Sequence, residues 1–430
     1  MIYQFSALLT TIFFNNYFVR FKSLAKNTFK PQMTKSFLTT WVFLGSVLLA
    51  PTHVLALDEL VTKEVFELPM YNTVGGQVIR NIKVGYETYG HLNATKDNAI
   101  LICHFLTGTS HAAGKYQKND PIVGYWDTII GADKAIDTKK YFVLSTDTLV
   151  NLGVSDPHVI TTGPASINPV TGRYYGFSFP ILTIQDFVRV QKALADKLGI
   201  KKFVVVMGAS MGAMQTVEWA VDYPDMVERI IPVASNGFET SAYMIQTLHN
   251  WSYPILMDPA WNHGDYYGPG KRPPTRGLTH ALEEVTLSSR SVQWAQNIFS
   301  NKTAVEGQLP SQQWAYRYAI EQTFTQAAED RSKISDANHF LYLVRAQQVF
   351  KAGNFSDTQQ AIEQVQAKSL FISASSDLLF FPSYAKSAVN QLKAAGKNAS
   401  YIEINGTGGD LDSITEIETV ADQIKDFVEH

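Results

Sequence analysis

Phe203-Val204-Val205-Val206-Met207-Gly208-Ala209-Ser210-Met211-Gly212 is the stretch that decides the fold. Its first five residues are continuously apolar, which marks a strand buried on both faces. From Met211 to Tyr223 the apolar residues fall at helical spacing, and Pro224 ends the run. Between strand and helix lies Gly208-Ala209-Ser210-Met211-Gly212, a GxSxG. In that setting the motif is a nucleophile elbow. The serine is lifted at a strained turn, and the two glycines let helix and strand pass closely. The helix N-terminus points backbone N–H groups at any oxyanion formed on the serine's acyl carbon.

Working outward, the same alternation recurs. Ile79 to Tyr86 alternates polar and apolar residues as a half-buried strand does. Asn98 to His104, Tyr141 to Ser145, Arg229 to Ala234, Ser369 to Ala374 and Tyr401 to Ile404 are further short strand-like runs. Thr183 to Leu198 carries helical periodicity and stops at Gly199. Strands alternating with helices predict an α/β fold with a mostly parallel twisted sheet and helices on both faces. Residues 237–366 break the rhythm. They are rich in Trp, Gln, Thr and Ser, with helical patterns over Ser311 to Gln326 and Asp336 to Phe350. This is the pattern of a helical cap inserted into one sheet, which divides the core into 57–236 and 367–430.

The chain has 430 residues, 45% hydrophobic and 17% charged, too apolar for a disordered protein. Its first 56 residues hold five basic residues and no acidic one, which leaves 31 basic against 39 acidic side chains in the rest. An acidic body argues against nucleic acid as the partner. One cysteine, Cys103, excludes intrachain disulfides and CxxC chemistry. Lys35, the apolar run Phe37 to Ala50 and the ending Val54-Leu55-Ala56 read as a secretory signal peptide with cleavage after Ala56. The apolar run is shorter than the ~20 residues a membrane span needs, so no stable anchor is expected after cleavage. A second apolar stretch, Met1 to Val19, precedes it, and we read Met33 as the true start. The expected location is periplasmic or secreted.

A serine nucleophile needs a base, and the base needs an orienting acid. In this fold class they follow the serine in the order acid, then histidine. Asp377, in Ser375-Ser376-Asp377-Leu378 after a predicted strand, stands where the acid belongs. The loop after the next strand, Asn405-Gly406-Thr407-Gly408-Gly409-Asp410-Leu411-Asp412, contains no histidine, and beyond it only His430 remains. His104, His111 and His158 are scattered without metal-site spacing, so neither metal nor cofactor is expected.

These residues resemble the homoserine O-acetyltransferase family of α/β-hydrolases, in particular its exported, esterase-like members. The likeness runs from about residue 65 to the C-terminus. It rests on His104-Phe105-Leu106-Thr107-Gly108, Thr162-Gly163-Pro164-Ala165-Ser166, Tyr175-Gly176-Phe177 with Phe179-Pro180, the block Gly208 to Asp225, and Ser376-Asp377-Leu378. The resemblance implies that Ser210 is the nucleophile, Asp377 the triad acid, and the Leu106 and Met211 amides the oxyanion hole. It also implies a cap that encloses the acyl site and mediates a homodimer.

Two departures stand out. Family members carry a Gly-His near the chain end, and here Gly409-Asp410 stands there, with Asp410 at the histidine position. Acetyltransferases of the family carry an arginine that grips the substrate carboxylate. Glu239 lies near its place and is expected to repel one. The sequence therefore predicts an exported serine ester hydrolase acting on a small acyl ester, weakened by loss of the triad histidine. A homoserine O-acetyltransferase and a ligand-binding pseudohydrolase are the alternatives. The replacement base would be Asp410, raised in pKa by Asp377, or a histidine from elsewhere such as His111, His249 or His263.

Overall fold

The computed structural model describes residues 60–430; the segment 1–56 and the expected mature start at Leu57 lie outside them. Eight strands form one sheet: β1 (Glu64–Asn72), β2 (Val78–Tyr89), β3 (Ala99–Cys103), β4 (Phe142–Thr146), β5 (Phe203–Ala209), β6 (Arg229–Val233), β7 (Lys368–Ala374) and β8 (Ala399–Ile404). Their order is β1-β2-β4-β3-β5-β6-β7-β8. β2 pairs antiparallel with both β1 and β4, and every pairing from β4 to β8 is parallel. The sheet is thus mostly parallel with an antiparallel edge.

Each central strand feeds two cores, which is why its sequence is apolar without alternation. In β3, Leu101 and Cys103 pack toward α1 (Ile184–Leu198) and α2 (Met211–Asp222). Ile100 and Ile102 pack on the other face, with Ile424 and Val428 of the C-terminal helix Ala421–Glu429. α1 starts in a capping box between Thr183 and Asp186 and ends at Gly199, whose φ of 75° is left-handed. Asp186 also accepts from Tyr71 Oη at 2.7 Å and Val74 N at 2.8 Å, which ties the edge hairpin to the helix layer.

Between β6 and β7 lie the helices of the cap: α3 (Ala242–Met257), α4 (Thr275–Ser288), α5 (Val292–Ile298), α6 (Ala319–Ser332), α7 (Ala337–Gln348) and α8 (Thr358–Gln364). One helix differs from its sequence reading. Ser311 to Gln326 was expected to be continuous, yet α6 begins only at Ala319. Residues before it pair across the chain instead: Ala304 N donates to Arg317 O and Ala319 N to Lys302 O. Glu321 caps the Tyr318 amide at 2.7 Å and fixes the start. No helix among the described residues is long and apolar enough to cross a membrane.

Candidate active site

The turn from β5 into α2 is built as the motif requires. Ser210 has φ 56° and ψ −118°, a left-handed conformation costing a non-glycine residue roughly 1–3 kcal/mol. The neighbouring glycines make the turn possible. A Cβ at Gly208 would lie 2.7 Å from the Cys103 carbonyl oxygen, and one at Gly212 would collide with the same carbonyl. The end of β3 therefore presses on the elbow, with His104 O 3.1 Å from where a Gly212 Cβ would sit. Ser210 N donates to Val233 O at 3.0 Å. Its Oγ has no hydrogen-bond partner among the described residues.

Leu106 lies in a turn closed by Gly108 N donating to Phe105 O at 2.9 Å. The Leu106 amide itself donates to no acceptor among the described residues. Met211 is the first residue of α2, where a helix leaves the amide without an intrahelical partner. Both amides expected to form the oxyanion hole thus lack an acceptor among the described residues.

Asp377 and Asp410 reach the same end of the sheet from β7 and β8. Ala209 registers with Val233 and Val233 with Ile372, so the Asp377 loop stands two strand spacings, ~10 Å, from the elbow. Ser376 Oγ accepts from Gly409 N at 3.1 Å and ties the two acid-bearing loops together. Asp377 is buried. Its Oδ1 accepts from Leu379 N at 2.8 Å and Phe380 N at 2.9 Å. Its Oδ2 and Asp410 Oδ1 are both buried without a hydrogen-bond partner. Burial, then the Asp410 charge, drives the Asp377 carboxyl well above the usual carboxylate range. Burial likewise pushes Asp410 up to about 7, against the pull of Arg290 and with the push of Asp412. Neither oxygen can accept its missing hydrogen bond from another carboxylate, and burial favours the neutral form of both groups.

The cap closes over this pair. Ser291 donates to Thr407 O, and Leu411 N donates to Ser289 O at 3.4 Å. Arg290, between them, is buried over the Trp294 ring at 4.2 Å. Ser291 caps α5, and the segment also carries Arg290 to the acidic loop. Nothing in the local sequence marks that arginine, because its role arises from a contact over a hundred residues away.

The histidines named as substitute bases sit elsewhere. His111 Nδ1 pairs with Glu87 Oε2 at 3.0 Å. Glu87 registers with Ser145, Ser145 with Ile102 and Ile102 with Met207, so this pair lies three strand spacings, ~14 Å, from β5. His249 and His263 are exposed on the cap, near Tyr253 and Trp261. His104 is buried, with Nδ1 bonded to Phe105 O at 2.7 Å and Nε2 facing Asn151 Nδ2 at 3.3 Å; burial holds its pKa down. His158 stacks on Tyr116. No histidine among the described residues bonds to Ser210.

Glu239, expected to repel a substrate carboxylate, is weakened in that role by its surroundings. Its side chain is 54% exposed and faces Lys351 at 3.7 Å, so water screens it. The cap aromatics are largely packing and hydrogen-bonding groups. Trp251 Nε1 donates to Ser288 Oγ at 3.1 Å, and the Tyr266 and Tyr267 hydroxyls donate to Asp336 at 2.9 and 2.8 Å. Among the described residues no cluster of three or more His, Cys, Asp or Glu side chains is arranged to hold a metal ion.

Comparison with known proteins gives the fold and the family. The family model for the alpha/beta hydrolase fold matches residues 98–409. Homoserine O-acetyltransferase from Deferribacter desulfuricans is 39% identical over 356 residues, covering 82% of this chain and 91% of that protein. The chain belongs to the homoserine O-acetyltransferase family of α/β-hydrolases. Among solved structures, esterase E22 is 44% identical with a TM-score of 0.82, covering 86% of this chain and all of that one. Homoserine O-acetyltransferase from Bacillus anthracis is 35% identical at the same TM-score, covering 86% and 98%. Membership makes the chain an enzyme of the acyltransferase and hydrolase class. The α/β-hydrolase fold expected from the GxSxG stretch is the fold found.

Proposed function

We propose that this protein is an exported serine acyl-ester hydrolase in which a carboxyl pair, Asp377 and Asp410, stands in for the missing histidine. The observation that carries the reading is Ser210 itself, raised at φ 56° at the start of a helix, its Oγ unbonded among the described residues. Ser210 Oγ attacks the acyl carbonyl and passes its proton to the carboxyl pair in its singly ionised state. The Leu106 and Met211 amides hold the tetrahedral oxyanion. The alcohol leaves with the proton, and water attacking the acyl-enzyme releases the acid. With a base near pH 7 in place of an oriented imidazole, turnover is weak and rises with pH through that value. Loss of a triad member leaves ~10³–10⁴-fold acceleration over water from the oxyanion hole and binding. Export rests on the basic and apolar pattern of residues 35–56.

The test uses the purified mature protein. A fluorophosphonate probe is expected to label it at Ser210 and not to label Ser210→Ala. p-Nitrophenyl acetate and butyrate are expected to be hydrolysed slowly, with no acetyl transfer from acetyl-CoA to homoserine. Absence of labelling would sink the hydrolase reading in favour of a binding module. Amino-terminal sequencing of the exported protein is expected to begin at Leu57.

A further inference from the structure

The end of the sheet opposite the acid pair holds a second buried charge cluster that the proposed reaction does not use. Glu87 on β2 has no exposed side-chain surface, yet donors surround it. Lys63 Nζ lies at 2.9 Å from Oε1, and Tyr116 Oη donates to Oε1 at 2.6 Å. Tyr89 Oη donates to Oε2 at 2.8 Å, and His111 Nδ1 reaches the same oxygen at 3.0 Å. Burial by itself raises the Glu87 pKa, but His111, Lys63 and Tyr116 outweigh it and hold the group at about 2. The carboxylate is charged at neutral pH.

What this charge grips is the chain that runs on from Leu106. The Tyr89 hydroxyl, fixed by Glu87, accepts from Ala112 N at 3.0 Å and Ala113 N at 3.2 Å. Ser110 N donates to Asp147 Oδ1 at 2.8 Å, and Lys63 bridges Glu87, Asp147 and the Ser110 hydroxyl. Asn151 Nδ2 holds Gly108 O at 3.1 Å. At its other end the segment rests on α2, where Gln215 Nε2 donates to His104 O at 3.4 Å. Leu106 sits midway, in a four-residue turn with no hydrogen bond of its own amide. Its position is therefore set from both flanks, and one flank is this cluster.

We infer that Glu87 is a positioning residue for the reaction: through Tyr89, Ser110 and His111 it fixes the loop that aims the Leu106 amide at the oxyanion. The inference rests on the reading of Ser210 as nucleophile. It gives His111 a positioning role at its Glu87 pair and removes it from proton transfer.

The probe is phenylboronic acid, which adds to a serine Oγ to give a tetrahedral anion. Its affinity is set beside that of N-phenylbutyramide, an unreactive ground-state ligand. Glu87→Gln is expected to weaken boronate binding about 10–100-fold, the scale of a misplaced oxyanion donor, with amide binding changed less than threefold. Tyr89→Phe, which removes only the hydroxyl holding the two amides, is expected to act in the same direction by about tenfold. It decides the matter if Glu87→Gln does not fold. Parallel losses for both ligands, or unchanged boronate binding in a folded variant, overturn the inference. Ser210→Ala separates the two readings: boronate affinity that survives there refutes the nucleophile assignment instead.

Discussion

Two clusters of buried acids flank the elbow, and burial has opposite outcomes in them. Glu87 is enclosed by an ammonium group, an imidazole and two phenols, and its pKa falls to about 2. Asp377 and Asp410 are as deeply buried, yet each keeps a carboxyl oxygen without a donor, and both are pushed up. Desolvation acts alike on all three. The difference is the donors and cations supplied to Glu87 and the neighbouring carboxylates that push on the aspartates. On the Glu87 side the fold provides a full set and gains a rigid charged anchor. On the Asp377 side the donor that an imidazole ring would contribute is missing, and a proton takes its place. Order on one side serves the oxyanion, while the deficit on the other limits the base.

The largest expected effect breaks that contrast directly. Asp410→His supplies a ring nitrogen at the loop after β8 and a donor for Asp377 Oδ2. Its kcat on p-nitrophenyl acetate should rise by ~10³-fold, a large part of what triad loss removes. A rise of less than tenfold in a folded variant would show that position 410 cannot reach the serine.

Next in size is the cost of unpairing the anchor. Lys63→Met removes the only ammonium group within ion-pair distance of Glu87 and Asp147 among the described residues. It leaves two buried carboxylates facing each other, and the expected loss is ~3–5 kcal/mol in urea unfolding at pH 7. A loss under 1 kcal/mol would mean that the cluster is not an anchor.

How far the sequence reached follows the same division. The elbow was legible because GxSxG, a valine-rich strand and a helix stop are all local. The place of Asp377, on the loop after a predicted strand, was legible. The edge strand Glu64–Asn72 was missed, since its burial pattern is irregular and its pairing depends on β2. Helix Pro382–Ala394 was also missed, although Pro382 at its first turn is a start signal. Glu87 and Arg290 carried no signal. Each acquires its role from partners tens to hundreds of residues away, and a lone charged residue just past a predicted strand or in a cap reads as solvent-facing.

Smaller still is the pH dependence of stability, where the two clusters should differ in sign. A carboxyl whose folded pKa is raised contributes stability below its unfolded value, lost as pH rises through the folded one. For Asp410 that window runs from the ordinary 3.8 to about 7. Asp410→Asn has no proton to lose, so in urea unfolding it should exceed the parent at pH 8 by on the order of a few kcal/mol and match it at pH 4. Glu87 runs the other way. Its folded pKa is depressed, so its contribution is complete above the ordinary 4.5 and fades as pH falls toward 2. An Asp410→Asn variant with equal advantage at both pH values would mean that the pair holds no proton in the folded state.

The smallest effect tests why the ring could not have come from the residue next door. Gly409 has φ 80°, and a Cβ there would lie 2.7 Å from Ser289 O, 2.8 Å from Arg290 C and 2.8 Å from Ser291 N. All three atoms are backbone of the cap segment that closes on the loop, so no rotamer change relieves the overlap. Gly409→Ala should therefore cost ~1–3 kcal/mol through strain alone. Gly409→His should cost at least as much and gain no esterase activity, in contrast to Asp410→His. If instead the histidine at 409 restores turnover and the one at 410 does not, the cap segment yields more readily than its hydrogen bonds to the Thr407–Leu411 loop imply. The base position would then belong to Gly409, and Asp410 would be left as the acid beside it.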